Sequence, residues 1–162
     1  MKNIIALIFL MLFLVQRANC REISLSASML DNSGNRVNIL RAKDIVRFKV
    51  CADRDCYIAI LCIDARGVKS WLPMTNNFLE AGQARLFPDI AGSVLRVADD
   101  GVTGSEQVVI YACSEKAGLP SQTDSGNFVS TDLHTIMRRQ RASKAGMVYD
   151  TGIFKITYTI LK

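Results

Sequence analysis

Cys56-Tyr57-Ile58-Ala59-Ile60-Leu61-Cys62-Ile63 is apolar on both of the faces that an extended chain would present. A strand of that kind belongs in the middle of a sheet that is covered on both sides. Asp64-Ala65-Arg66-Gly67 breaks the run with turn-forming residues, and Val68 to Leu72 reads as the returning strand. On the N-terminal side, Val46, Phe48 and Val50 alternate with Arg47, Lys49 and Cys51. Further back, Ile23, Leu25, Ala27 and Met29 alternate with Ser24, Ser26 and Ser28, up to a turn at Asp31-Asn32-Ser33-Gly34-Asn35. Towards the C-terminus, strands are expected at Ala84–Phe87, Val94–Val97, Gln107–Cys113 and Ile153–Leu161. The short, regular spacing predicts a mainly β domain, an antiparallel β-sandwich or a partly open barrel, and not a βαβ fold.

One helix is expected to interrupt this pattern near the C-terminus. Ser130 or Thr131 caps it, Asp132 sits in its first turn, and Leu133, Ile136 and Met137 share one face at helical spacing, so that it would lie across the sheet. Arg138, Arg139, Arg141 and Lys144 crowd its C-terminal end, where the helix dipole favours positive charge. Such a cluster is either a solvated helix end or a contact point for anionic lipid, glycan or a partner.

The N-terminus sets the compartment. Lys2 precedes an unbroken apolar run from Ile4 to Val15, followed by Gln16, Arg17 and the small-residue pattern Ala18-Asn19-Cys20. This is the layout of a secretory signal peptide over residues 1–20, and its roughly 12 apolar residues fall short of the ~20 needed for a membrane span. Cleavage after Cys20 would leave one β-rich domain, residues 21–162, periplasmic or secreted, with no transmembrane span. Lipid anchoring at Cys20 is the weaker alternative, because Arg17 and Asn19 occupy places where a lipidation site has an aliphatic and a small residue.

Losing that leader removes Lys2 and Arg17 from the 20 basic residues and none of the 15 acidic ones, so the formal charge falls from +5 to 18 against 15, or +3. The chain is then only mildly basic, so charge alone does not support nucleic acid as a partner. No internal repeat, low-complexity tract or Pro/Ser/Gly-rich linker divides the domain.

Cys51, Cys56, Cys62 and Cys113 form an even set suited to an oxidising compartment. If Val50 to Tyr57 is a hairpin, Cys51 and Cys56 face each other across a four-residue loop at about disulfide separation. Cys62 and Cys113 could then join distant strands, although four cysteines permit three connectivities. A zinc or redox site is disfavoured, since there is no Cys-x-x-Cys.

Catalytic signals are sparse. His134 is the only histidine and falls on the polar side of the expected helix. Asp53, Asp55, Asp99, Asp100 and Glu106 lie in turns, where short acidic residues cap backbone amides. Asp99-Asp100 is the one adjacent carboxylate pair, but the alternating acidic ligands of a calcium loop are missing, and no glycine-rich phosphate loop follows a strand. The reading is therefore of a protein with no catalytic residue, metal or cofactor. Trp71, two residues before Pro73, is either core packing or a stacking platform for a sugar ring.

Several of these segments together resemble a known family. Val46-Arg47-Phe48-Lys49-Val50, Asp55 to Leu61, Asp64-Ala65-Arg66-Gly67, Trp71-Leu72-Pro73, Glu80-Ala81-Gly82 and Gly104-Ser105-Glu106 ahead of Val108-Val109-Ile110 resemble the motifs of the bacterial domains of unknown function DUF4384, from about residue 40 to the terminal strand Ile153–Ile160. Val102 and Met74 depart from the family's usual proline and asparagine. The resemblance implies a β-rich envelope domain, also found appended to caspase-like peptidases or kinases, with no established activity and no catalytic residue to carry over. The expectation is an exported, non-enzymatic accessory or interaction module that binds a protein or envelope component. A glycan- or peptidoglycan-binding module is the alternative, and an unrecognised enzyme comes last.

Overall fold

In the computed structural model, which describes residues 22–120 and 149–162, the fully apolar segment Cys56–Ile63 is a central strand. Ten strands run in chain order: β1 (Leu25–Asp31), β2 (Ile39–Arg41), β3 (Ile45–Ala52), β4 (Cys56–Ile63), β5 (Lys69–Trp71), β6 (Phe78–Leu79), β7 (Ala84–Phe87), β8 (Leu95–Arg96), β9 (Gly104–Cys113) and β10 (Thr151–Leu161). They form two sheets, not a closed barrel. In the first, β3 has β1 on one side and both β7 and β8 on the other. The second has the order β2-β10-β9-β4-β5, with β6 also pairing β4, and all its pairs are antiparallel except β2 with β10.

The period-2 patterns place the core. Val46, Phe48, Val50 and Ala52 of β3 point inward against Cys56, Ile58 and Ile60 of β4 and Val108, Ile110 and Ala112 of β9, all buried. The opposite side of the second sheet carries its own buried cluster, Ala59, Leu61, Val109 and Tyr111, with Trp71, Leu119 and Ile153 packed against it. This explains why β4 has no polar face.

The sheets are joined at one corner, where the Ile23 amide donates to the Thr151 carbonyl at 3.0 Å. Gly152 is required there: a Cβ at that position would collide with the Ile23 carbonyl. Two short strands, β2 and β6, and the Gly104–Glu106 start of β9 were not expected from the sequence. They owe their extended form to partners: β2 lies beside the last residues of β10, Leu79 beside Cys56, and Gly104 beside Ile160.

The disulfide expectation is corrected. Val50–Tyr57 is not a hairpin but the crossing between sheets: β3 belongs to the first and β4 to the second. Asp53 and Asp55 build that crossing, Asp53 accepting from the Ser24 amide at 2.9 Å and Asp55 from the Ala81 amide at 2.8 Å. Cys51 falls on the outer side of β3 and Cys56 on the inner side of β4, so a sheet separates their side chains. Cys51, Cys56 and Cys62 are free thiols. Cys113 is buried, its Sγ filling the space that a side chain at Gly118 would need.

The expected signal peptide, the helix with its Leu133, Ile136 and Met137 face, His134 and the basic residues Arg138, Arg139, Arg141 and Lys144 all lie outside the described residues. Among the described residues there is no α-helix, only a 3-10 turn at Lys116–Gly118, and no helix long and apolar enough to cross a membrane.

Candidate functional site

A cleft of about 340 Å³ opens between the two sheets, with β3 and β8 on one side and β5 on the other. That is at the small end of the range for ligand sites. Its floor is apolar, made by Leu40, Val46, Phe48, Leu95, Val97 and Ile160. One side of its mouth is β5 and the turn before it, and the other is the segment from β8 to Val102.

The turn is organised by Asp64. Its Oδ1 accepts the amides of Arg66 and Val68 at 2.9 and 2.8 Å, and the Gly67 amide closes back on the Asp64 carbonyl at 2.9 Å, with Gly67 in the left-handed region at φ +82. The second oxygen, Oδ2, takes both Nε and Nη2 of Arg66, at 3.0 and 2.8 Å. Partial burial works against the charge on Asp64, but Arg66 and the two amides more than offset it and hold the carboxyl below its ordinary range. Arg66 also reaches Asp100 at 3.5 Å, bridging the two sides of the mouth.

Deeper in the cleft, β9 and β10 bring Glu106 and Tyr158 into register, and the Tyr158 hydroxyl donates to Glu106 Oε2 at 2.7 Å. Burial and this bond push the Tyr158 hydroxyl well above its usual pKa. Cys62 lies on the same inner side of β4. Burial, reinforced by Glu106, pushes its thiol up to about 11, so at neutral pH it is a protonated, weak nucleophile. Arg66 is thus tied to Asp64 and Asp100 and Tyr158 to Glu106, and the Cys62 thiol is not activated by a base.

Of the residues singled out from sequence, Trp71 and Pro73 line this cleft. The Trp71 side chain, however, lies on the outer side of the second sheet with Leu61, its ring 6.1 Å from Tyr111 at 59°. Its Nε1 is buried without a hydrogen-bond partner among the described residues. Asp99 and Asp100 diverge: Asp99 pairs with Lys43 at 2.9 Å, while Asp100 faces Arg66 and accepts the Val102 amide at 3.1 Å. Among the described residues no group of three or more His, Cys, Asp or Glu side chains converges as a metal set.

Arg66, Glu106 and Tyr158 were missed as site residues. Arg66 read as part of a breaker, and the Glu106–Tyr158 contact spans 52 residues, a pairing that only the β9–β10 register creates.

The family model described as a domain of unknown function, DUF4384, matches residues 39–116. Those residues belong to that family, as the motifs from Val46 to Ile110 implied. They run from β2 to the 3-10 turn and supply most of the cleft, whereas β1 and β10 lie outside the match. No curated protein and no solved structure matches the chain.

Proposed function

We propose that this chain is an exported, non-enzymatic interaction module of the bacterial cell envelope, and that the cleft beside β5 is where it meets its partner. The observation that carries this reading is the chemistry of the cleft. An apolar floor offers burial to a partner group. The polar groups of the rim already hold one another, Arg66 pairing with Asp64 and Asp100 and Tyr158 donating to Glu106, and the Cys62 thiol is held protonated. Such a site is equipped for recognition more than for bond-making. The leader-like N-terminus supports export. The glycan alternative leans on Trp71, whose ring is engaged with Tyr111.

Photo-crosslinking in the native envelope tests the proposal. With a photoreactive amino acid in place of Val68, which is 59% exposed at the mouth, one discrete envelope protein should be captured from the periplasmic side. Capture should fail from an equivalent label at Leu86, an exposed residue of the other sheet's β7. Equal, diffuse labelling from both positions would defeat the proposal.

A further inference from the structure

β5 is the terminal strand of the second sheet, and among the described residues nothing pairs with its far side. Its alternation is set by two bonds: the Asp64 amide to the Val68 carbonyl at 2.9 Å, and the Leu72 amide to the Ile60 carbonyl at 2.9 Å. Even-numbered residues therefore bond inward to β4, which leaves the amide and carbonyl of Lys69 and of Trp71 directed away from the sheet. Across the mouth, β8 is held to the strand β3 by the Lys43–Val97 and Val97–Asp44 backbone bonds, so the two sheets present separate edges with the cleft between them.

An edge strand beside an apolar cleft is the arrangement by which an extended peptide is taken up: main-chain bonds hold it, and alternate side chains enter the pocket. The charge of the lining selects among peptides. Asp64, Asp100 and Glu106 stand against Arg66 and Arg96, three carboxylates to two guanidiniums, on a chain that is basic as a whole. Side chains two residues apart on a strand share a face.

We infer that the cleft binds an extended segment of a partner protein as an added strand on β5, with one aliphatic or aromatic side chain on the apolar floor and a lysine or arginine two residues away facing the Asp100–Glu106 side. This inference rests on the proposed interaction role of the same cleft and names the chemistry of its partner. The two open residues, Lys69 and Trp71, accommodate a short segment only, so one seated side chain carries the specificity.

The test uses the full secreted chain and the blocked peptide acetyl-Thr-Leu-Thr-Lys-Thr-amide, with three relatives: leucine replaced by serine, lysine replaced by glutamate, and the parent N-methylated at the residue between leucine and lysine and at its two neighbours. Binding is read by amide shifts in an ¹⁵N spectrum. The parent should move the Lys69 and Trp71 amides, and each relative should bind about tenfold or more weakly. Glu106→Gln should reduce the lysine-over-glutamate preference while leaving the parent's need for leucine intact. Equal binding of the lysine and glutamate peptides overturns the charge assignment, and equal binding of the N-methylated peptide overturns strand addition. If the Val68 crosslink captures a partner but none of these peptides binds, the interaction reading stands and this inference falls. If neither occurs, both fall.

Discussion

Two Asp–Arg corners of the molecule use the same residue types for opposite ends. In one, Asp89 is locked in place: it accepts the amides of Thr75 and Asn76 at 2.9 and 3.1 Å and Nη2 of Arg85 at 2.8 Å. Arg85 in turn donates to the Phe78 carbonyl and lies 5.2 Å over the Phe87 ring. The side chains are 27% and 11% exposed for Arg85 and Asp89. In the other corner, Arg66 is 58% exposed and held only by carboxylates, at the cleft mouth. Surface ion pairs contribute little to stability, whereas removing one partner of a desolvated pair leaves the other uncompensated. The first corner therefore ties the 73–78 loop to β7, and the second is available to a ligand.

The largest expected effect breaks the first corner. Asp89→Ala removes three charge-assisted hydrogen bonds and strands Arg85, and should lower unfolding free energy by about 2–4 kcal/mol in denaturant titration. Arg66→Gln, which removes an exposed pair, should shift the denaturation midpoint far less. If the two substitutions destabilise equally, the contrast between the corners is false.

A smaller effect is expected from acid. Burial raises the pKa of Asp89, but the Thr75 and Asn76 amides and the Arg85 charge outweigh it and lower the carboxyl below its ordinary 3.8; Asp64 is lowered as well. A folded value below the unfolded one means that stability from these groups is present above pH 3.8 and is lost as pH falls through the folded values. Urea midpoints measured downward from pH 5 should drop below that point, and Asp89→Asn should flatten part of the slope. An unchanged slope in the variant would remove Asp89 from the account.

The smallest signal comes from the thiols. Burial pushes both Cys56 and Cys62 up to about 11. Under native conditions at pH 8, iodoacetamide should reach half-buried Cys51 first, Cys62 slowly and faster towards pH 11, and Cys56 only on unfolding. Mass mapping that finds Cys62 labelled as fast as Cys51 would contradict the buried, protonated state of the Cys62 thiol.

Much of the fold was legible because strand periodicity is local. β4 and β7 occur over the residues that their patterns indicated, and the polar alternation of β3 put Val46, Phe48 and Val50 inside. β2 and β6 were not legible, since three and two residues carry no periodicity and are extended only because β10 and β4 lie beside them. The Cys51–Cys56 pairing failed for a related reason. A four-residue connection looks the same in sequence whether it turns back within one sheet or passes to the next.

The candidate site was half legible. Trp71 and Pro73 border the cleft, although the Trp71 ring faces the other side of the sheet, whereas Glu106 and Tyr158 meet across 52 residues, and no local pattern reports that.

What the sequence determined by itself was the strand-forming alternation, the two-sided burial of Cys56–Ile63, the Asp64–Gly67 turn and the family motifs, because each depends on residues within a few positions of one another. The tertiary structure alone decided which strands share a sheet, which side of it each cysteine faces, and that a cleft lies between the sheets beside β5. Those outcomes follow from how two sheets divide a common apolar core, and that division is a property of the whole chain.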